Sequence, residues 1–292
     1  MKKRIFLRAL ALTFLAAALS APALAAPAPA FSLPEAEEFS EISQLSGEIC
    51  GWVNSLIEEN GDNVPPVTPE QLDFSAACRI DTESTVFKQN LTSAQALTAA
   101  LEQADSYLWE LPVSSGDQTY VLTLTVGAPV NPDADLTEQD RQYLLEHEGK
   151  WHISGITADG DQPYIGERLQ ALAAARDGAV CYVMDADSHC TFAILSEADA
   201  LTSAVVLRGS LSVTDQRTSE QIVFEPETLY PYDGVRQVLA LAEPVVQAGT
   251  DGGLQLVIPA EDEASAAAPL GIALACAAAL AVVLLVRSRR HA

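Results

Sequence analysis

The clearest hydrophobic pattern in the chain is a pair of alternating stretches, SYLWELPV at 106–113 and QTYVLTLTV at 118–126. In the first stretch every second residue from Tyr107 to Val113 is apolar, and in the second the same holds from Tyr120 to Val126. Alternation of period two predicts half-buried β-strands, and the polar segment between them fits a four-residue hairpin loop. We therefore predict an antiparallel hairpin that contributes one face to a core.

Other segments show helical or strand-like spacing of apolar residues. Helices are predicted at 34–59, 92–105, 136–147, 165–176 and 232–243, with Gly47 and Gly51 dividing the first. Further strands are predicted at 79–88, 150–157, 179–184, 190–195, 204–213 (bent at Gly209) and 254–258. This order indicates an α+β ectodomain of small antiparallel sheets with packed helices. It divides into an α+β subdomain at 35–158 and a second subdomain, or a continuation of the first, at 159–258.

The N-terminus has the layout of a secretory signal peptide, predicted at 1–25. Lys2, Lys3, Arg4 and Arg8 precede an 11-residue apolar run, and small residues follow up to Ala25 and Ala26, where cleavage is expected. The alternative of an uncleaved anchor is disfavoured because the run is too short to span a bilayer. A Pro/Ala linker is predicted at 26–34.

The C-terminus is predicted to carry a transmembrane helix at 266–286. This stretch of 21 residues has no charge, and at about 1.5 Å per residue it spans about 31 Å, one bilayer core. An acidic stalk at 259–265 precedes it, and the stop-transfer residues Arg287, Arg289 and Arg290 follow. A buried core helix is disfavoured because the segment has no polar face. Because basic residues stay on the cytoplasmic side, the six-residue tail 287–292 is predicted inside and the ectodomain outside.

This arrangement of the two ends resembles the single-pass surface proteins of Gram-positive bacteria. The resemblance covers only the ends, and it implies localisation at the cell membrane with the ectodomain facing outward. The segment before the span, VIPAEDEASAAAPLG, has no Leu-Pro-x-Thr-Gly sorting site, and the leader has no lipobox cysteine. Retention by the transmembrane helix is therefore predicted rather than attachment to the wall or a lipid.

The charge of the ectodomain restricts its partners. All 40 acidic residues lie between Glu35 and Glu263, whereas only nine of the 16 Lys and Arg residues lie in that interval, which gives a net charge of −31. Such a surface excludes nucleic acid and anionic lipid headgroups as partners. A basic protein or Ca²⁺ would be attracted to it, although a purely solvated surface also explains the composition.

Four cysteines lie outside the span, an even number in a chain predicted to be exported. If the hairpin turns at Asp185 and Ala186, Cys181 faces Cys190, and Cys50 and Cys78 form the remaining pair. Four cysteines allow three connectivities, and four buried thiols remain the alternative.

Three further groups of residues are candidates for chemistry, and each has a structural alternative. Asp185, Asp187 and His189 alternate as in a metal-binding loop, but the positions an EF-hand would require hold Cys190 and Ser196, so turn chemistry is preferred. A nucleophilic pair of Cys190 with His152 has no supporting signature.

Tyr230 and Tyr232 could present exposed rings to a glycan, with loop packing as the alternative. No motif for a metal, cofactor or catalytic centre is recognised. The sequence therefore predicts a membrane-tethered binding module whose partner is an envelope protein or cell-wall component. The alternatives are an exported hydrolase without a local motif and an accessory subunit of an envelope complex.

Overall fold

The computed structural model describes residues 28–131, 134, 136–158, 164–165, 179–246 and 254–260. Within these ranges the helices are α1 (Phe39–Ile42), α2 (Ser46–Asn60), α3 (Ala94–Glu102), α4 (Glu138–His147) and α5 (Tyr232–Leu241). Short 3-10 helices lie at Leu33–Glu35, Ser43–Leu45, Pro69–Gln71, Phe74–Ala76 and Val86–Lys88. The strands are β1 (Ala28–Pro29), β2 (Cys78–Ser84), β3 (Tyr107–Ser115), β4 (Gln118–Val126), β5 (Trp151–Ala158), β6 (Ala179–Asp185), β7 (Thr191–Glu197), β8 (Ala200–Arg208), β9 (Leu211–Asp215), β10 (Glu220–Phe224), β11 (Leu229–Pro231), β12 (Glu243–Val246) and β13 (Leu254–Ile258).

The fold is α+β, as predicted, but its main sheet is large and mixed rather than small and antiparallel. Nine strands form it in the order β11-β8-β7-β6-β2-β3-β4-β5, with β1 also paired to β6. The β2–β6 pair is parallel and places Ile80 opposite Tyr182, and the β1–β6 pair is parallel as well. One sheet therefore contains strands from both 35–158 and 159–258.

The two faces of this sheet carry different cores. The register aligns Arg79 with Trp109 and Asp81 with Val183, so these four residues share one face, which we call the helix-bearing face. On it, α2 packs over β3, β4 and β5 in one cluster, and α3 and α5 pack over β6, β7 and β8 in another. The opposite face is covered among the described residues by Tyr164 and Ile165.

A smaller sheet in the order β10-β9-β13-β12 completes the second cluster. Gly209 separates β8 from β9 with φ of 87°, a conformation that favours glycine. A Cβ at this position would lie 2.9 Å from the Cys190 sulfur. The predicted bend at Gly209 is thus the point where the chain leaves one sheet and enters the other.

Local sequence explains where several helices begin and end. The Ser93 hydroxyl accepts a hydrogen bond from the Ala96 amide at 3.1 Å and caps α3. Gly61, at φ of 70°, ends α2, and the next amide, of Asp62, donates to the Ile57 carbonyl at 3.0 Å. Gly47 and Gly51 lie inside α2 and do not divide it.

The segment predicted as the linker 26–34 belongs to the fold from residue 28 onward. Ala28 and Pro29 form β1, and the Ala30 amide donates to the Val180 carbonyl at 2.8 Å. The side chain of Leu33 is fully buried. Burial of this apolar residue explains why the Pro/Ala composition does not leave this part of the chain as a free linker.

The predicted signal peptide, transmembrane helix, cytoplasmic tail and most of the helix at 165–176 lie outside the described residues. So do residues 261–265 of the predicted stalk. Among the helices that the structure does describe, none combines the length and apolar character needed to cross a membrane.

Candidate interaction surface on helix α4

Asp185, Asp187 and His189, for which the sequence favours turn chemistry over a metal-binding loop, close the β6–β7 hairpin. The buried carboxylate of Asp185 accepts a hydrogen bond from the Ser188 amide at 2.9 Å, and Asp187 forms an ion pair with Lys88. Burial raises the pKa of Asp185. His189 has φ of 52°, a turn conformation. The described part of the chain contains no group of three or more His, Cys, Asp and Glu residues arranged to hold a metal.

The disulfide predicted between Cys181 and Cys190 is not formed, because the hairpin has a different register. Ile194, not Cys190, lies opposite Cys181. Cys190 precedes β7, and its carbonyl accepts the Asp185 amide at 3.0 Å. Cys190 lies four positions before Ile194, about 13 Å along the chain direction, which is too far for a bridge.

The second predicted pair, Cys50 with Cys78, is also absent. Cys50 lies in the α2 cluster on the helix-bearing face, whereas Cys78 lies in the cluster on the opposite face of the same sheet. All four cysteines among the described residues are buried free thiols. A sheet between two thiols prevents them from reaching bonding distance.

The buried thiols are poor candidates for nucleophiles. Burial raises the pKa of Cys78 to about 11 and that of Cys181 to about 12. The Cys78 sulfur lies 2.7 Å from the hydroxyl of Tyr164, which donates to the Ala76 carbonyl. This contact ties the segment at residue 164 to the sheet and indicates a packing role.

Cys190 and His152 are not brought together. Cys190 belongs to the cluster under α5, and burial raises its pKa. His152 lies on β5, the edge strand at the other end of the sheet. The structure therefore provides no nucleophilic pair from these two residues.

Tyr230 and Tyr232, the two candidate glycan-binding rings, contribute to packing. Tyr232 is buried and its ring centroid lies 6.1 Å from that of Phe87. The Tyr230 ring packs edge-on against the Phe224 ring, with 5.1 Å between the ring centroids. The Tyr230 hydroxyl accepts a hydrogen bond from the Glu225 amide at 2.9 Å. These contacts correspond to the loop-packing alternative.

Helix α4 differs from the other long helices because none of its residues is buried. The helix begins where the Thr137 hydroxyl accepts the Asp140 amide at 3.1 Å. Tyr143, Leu144 and Leu145 are 45%, 37% and 55% exposed. We call these three residues, together with Val126 at the foot of the helix (45% exposed), the α4 surface.

The base of α4 is fixed by close backbone packing. The amide of Gly127 donates to the Lys150 carbonyl at 3.0 Å, and the amide of Gly149 donates to the Gly127 carbonyl at 2.9 Å. A Cβ at Gly127 would lie 2.0 Å from the His147 carbonyl oxygen. Only glycine allows the end of the helix to approach β4 this closely, so the exposed residues are held in a defined place.

Three rings form a row beside this base. The centroids of Tyr143 and His147 lie 4.3 Å apart, and those of His147 and His152 lie 4.9 Å apart. The row links the last turn of α4 to the first residues of β5 and supports the orientation of Tyr143.

Sequence reasoning predicted the helix but not its exposed surface. The sequence indicates this surface at Tyr143-Leu144-Leu145. Three consecutive apolar residues point in different directions around a helix, so a single buried face cannot cover all of them. Exposed apolar residues on a fixed helix are suited to contact another macromolecule. Comparison of the chain with protein-family models, with curated proteins and with solved structures finds no match.

Proposed function

We propose that this chain is a membrane-tethered bacterial surface protein whose ectodomain binds another protein of the cell envelope through the α4 surface. The observation that carries the proposal is the exposure of Tyr143, Leu144 and Leu145 on a helix that buries none of its own residues. Leaving this apolar area in water has a free-energy cost that a partner would remove. The tyrosine supplies a rigid aromatic contact of the kind enriched at protein interfaces.

The two ends of the chain support the tethered topology. The leader at 1–25 directs export, and the span at 266–286 with its following arginines retains the protein in the membrane. The final strand β13 ends at Ile258, only a few residues before that span. The ectodomain is therefore expected to work close to the outer surface of the membrane.

The net charge of the ectodomain favours a different protein over a second copy as the partner. Two ectodomains with a charge of −31 each would repel one another. A neutral or basic protein surface that presents apolar side chains would suit the α4 surface, since Arg141 and Lys150 near it offset only part of the acidity. The alternative of an exported hydrolase without a local motif gains no cysteine nucleophile from the described residues, because their thiols are buried and burial raises the pKa of Cys78 and Cys181.

The proposal is tested with a photo-crosslinking amino acid placed at Leu145 in the full-length chain. Intact producing cells are irradiated, and products are captured through a tag after Ala292 and identified by mass spectrometry. The matched control places the same amino acid at Val223, which is 49% exposed on β10. We expect one dominant envelope protein from position 145, at least fivefold above the yield from position 223.

The substitution Leu144→Ser should then weaken the crosslink formed from position 145 while leaving the expression level unchanged. Equal yields from positions 145 and 223, or recovery of the chain alone while a known envelope pair crosslinks, would exclude the α4 surface as the contact site.

A further inference from the structure

His147 and His152 lie side by side at the junction of α4 and β5. His147 is the last residue of the helix, and His152 is the second residue of the strand. Their ring centroids are 4.9 Å apart, and the ring planes are inclined at 51°. The rings are therefore tilted toward each other rather than stacked in parallel.

The hydrogen bonds of the two rings determine which nitrogen is free. His147 Nδ1 lies 2.8 Å from the Tyr143 carbonyl oxygen, and His152 Nδ1 lies 3.4 Å from the Lys150 carbonyl oxygen. A carbonyl oxygen only accepts hydrogen bonds, so a neutral ring that donates to it carries its proton on Nδ1. Nε2 of each ring then carries a lone pair. A metal-binding histidine is oriented in the same way, with one nitrogen bound to a carbonyl and the other to the metal.

We propose that His147 and His152 bind one divalent transition-metal ion of the Zn²⁺ type through their Nε2 atoms. Two imidazoles that share a tetrahedral Zn²⁺ ion, each with a Zn–N distance of about 2.0–2.1 Å, have ring centroids about 5 Å apart. The observed centroid separation of 4.9 Å is close to this value. Imidazole nitrogen is a preferred ligand for Zn²⁺, Cu²⁺ and Ni²⁺.

The surroundings favour a cation at this position. Glu146 and Glu148 flank His147, and both are exposed. The net charge of the ectodomain raises the local concentration of cations. No third protein ligand gathers here among the described residues, so water completes the coordination sphere. The inference does not depend on whether the α4 surface binds a partner.

The site also has a structural consequence. A metal held by both rings joins the last turn of α4 to β5, in addition to the backbone contacts at Gly127. A ligand that binds the folded state and not the unfolded state raises the apparent stability of the protein. Metal binding is therefore expected to raise the unfolding temperature.

The test uses the full-length chain, purified in detergent through a tag without histidines and stripped of metal with a chelator. Zn²⁺ is titrated by calorimetry, and thermal unfolding is followed with and without saturating Zn²⁺. We expect one Zn²⁺ per chain and a higher unfolding temperature in its presence. His147→Gln and His152→Gln should each lower the affinity at least tenfold and abolish the thermal shift.

His189→Asn is the matched control. His189 is also exposed, and asparagine tolerates its φ of 52°. This variant should bind Zn²⁺ as the wild type does. Absence of binding in the wild type, unchanged affinity in both His147→Gln and His152→Gln, or an equal loss in His189→Asn would overturn the proposal. Circular dichroism of each variant separates a lost site from a lost fold.

Discussion

Arg79 and Asp81 form a buried ion pair where the two clusters of the helix-bearing face meet. The Arg79 guanidinium donates to the Asp81 carboxylate at 2.7 Å and to the Leu101 carbonyl at 2.8 Å. Its central carbon lies 4.3 Å from the Phe31 ring centroid and 3.8 Å from that of Tyr107. The cation–π contacts join β2 to β3 and to the segment that follows β1, and the hydrogen bond to Leu101 joins β2 to α3.

The pH dependence of stability should report on Asp81. Burial raises its pKa from 3.8 to about 6, against the opposing effect of Arg79. Because the folded state binds the proton more tightly than the unfolded state, this group stabilises the fold fully below about pH 4. Its contribution is lost as the pH rises through 6. Asp81 should therefore lower the unfolding free energy of the wild type by about 1–3 kcal/mol between pH 4 and pH 7. This decrease should be absent in Asp81→Asn.

Urea denaturation followed by tryptophan fluorescence at several pH values measures this difference. Glu225→Gln, at an exposed acid on the loop after β10, serves as the matched control and should retain the pH dependence of the wild type. Identical profiles for the wild type and Asp81→Asn would show that Asp81 does not titrate differently in the folded and unfolded states.

Where only one face of a strand is apolar, the sequence pattern predicted correctly which residues face the core. Trp109 and Tyr120 are both buried, in agreement with the alternation of β3 and β4. Asp81 was not predicted as a core residue, because a charge that alternates with apolar residues indicates an exposed face. Both faces of β2 are covered, and the ion pair with Arg79 offsets the cost of burying the Asp81 carboxylate. The pattern of a single sequence shows neither the second covering layer nor the ion pair.

At the scale of elements, periodicity identified most helices and strands but not how the strands pair. The hairpin of β3 and β4 was predicted because its strands are adjacent in sequence, although its loop is shorter than expected, with Ser115 paired to Gln118. The parallel pairing of β2 with β6 was not predicted, since α3, β3, β4, α4 and β5 lie between the two strands in sequence. The strands β11 and β12 have too few residues to establish a period, and β10 was not predicted either.

The base of α4 should depend on Gly127. In Gly127→Ala the new Cβ would meet the His147 carbonyl at 2.0 Å, and because backbone does not yield easily the end of the helix must move. We expect at least a threefold lower yield of the crosslink from position 145. We also expect a loss of unfolding free energy of about 1–3 kcal/mol, typical of overpacking.

Gly155→Ala on the neighbouring strand β5 is the control, because nothing lies within 4 Å of a Cβ there. It should leave both the crosslink and the stability nearly unchanged. If Gly127→Ala behaved in the same way, the position of α4 would not depend on this close contact.

At the scale of the whole molecule, β13 is the last strand of the described residues and precedes the predicted anchor in sequence. β13 occupies a central place in the small sheet, parallel to β9 and antiparallel to β12. Seven residues, 259–265, separate it from the predicted span, so the proposed topology would place the fold at most about 25 Å from the membrane. In that topology, a partner that contacts the ectodomain must lie near the outer surface of the membrane.

Two truncations separate the role of β13 from that of the anchor. A chain that stops after Ala260 keeps β13 and loses the predicted span, so producing cells should release it to the medium in a protease-resistant form. A chain that stops after Gly253 also loses β13, which removes Leu256 and Ile258 from the core and leaves β9 and β12 without their shared neighbour. We expect this shorter chain to be degraded, because buried backbone and apolar surface are exposed together.

Immunoblots of medium and membrane fractions after limited proteolysis measure both outcomes. Retention of the Ala260 chain in the membrane would contradict the predicted anchor, and equal protease resistance of the two chains would contradict a stabilising role for β13.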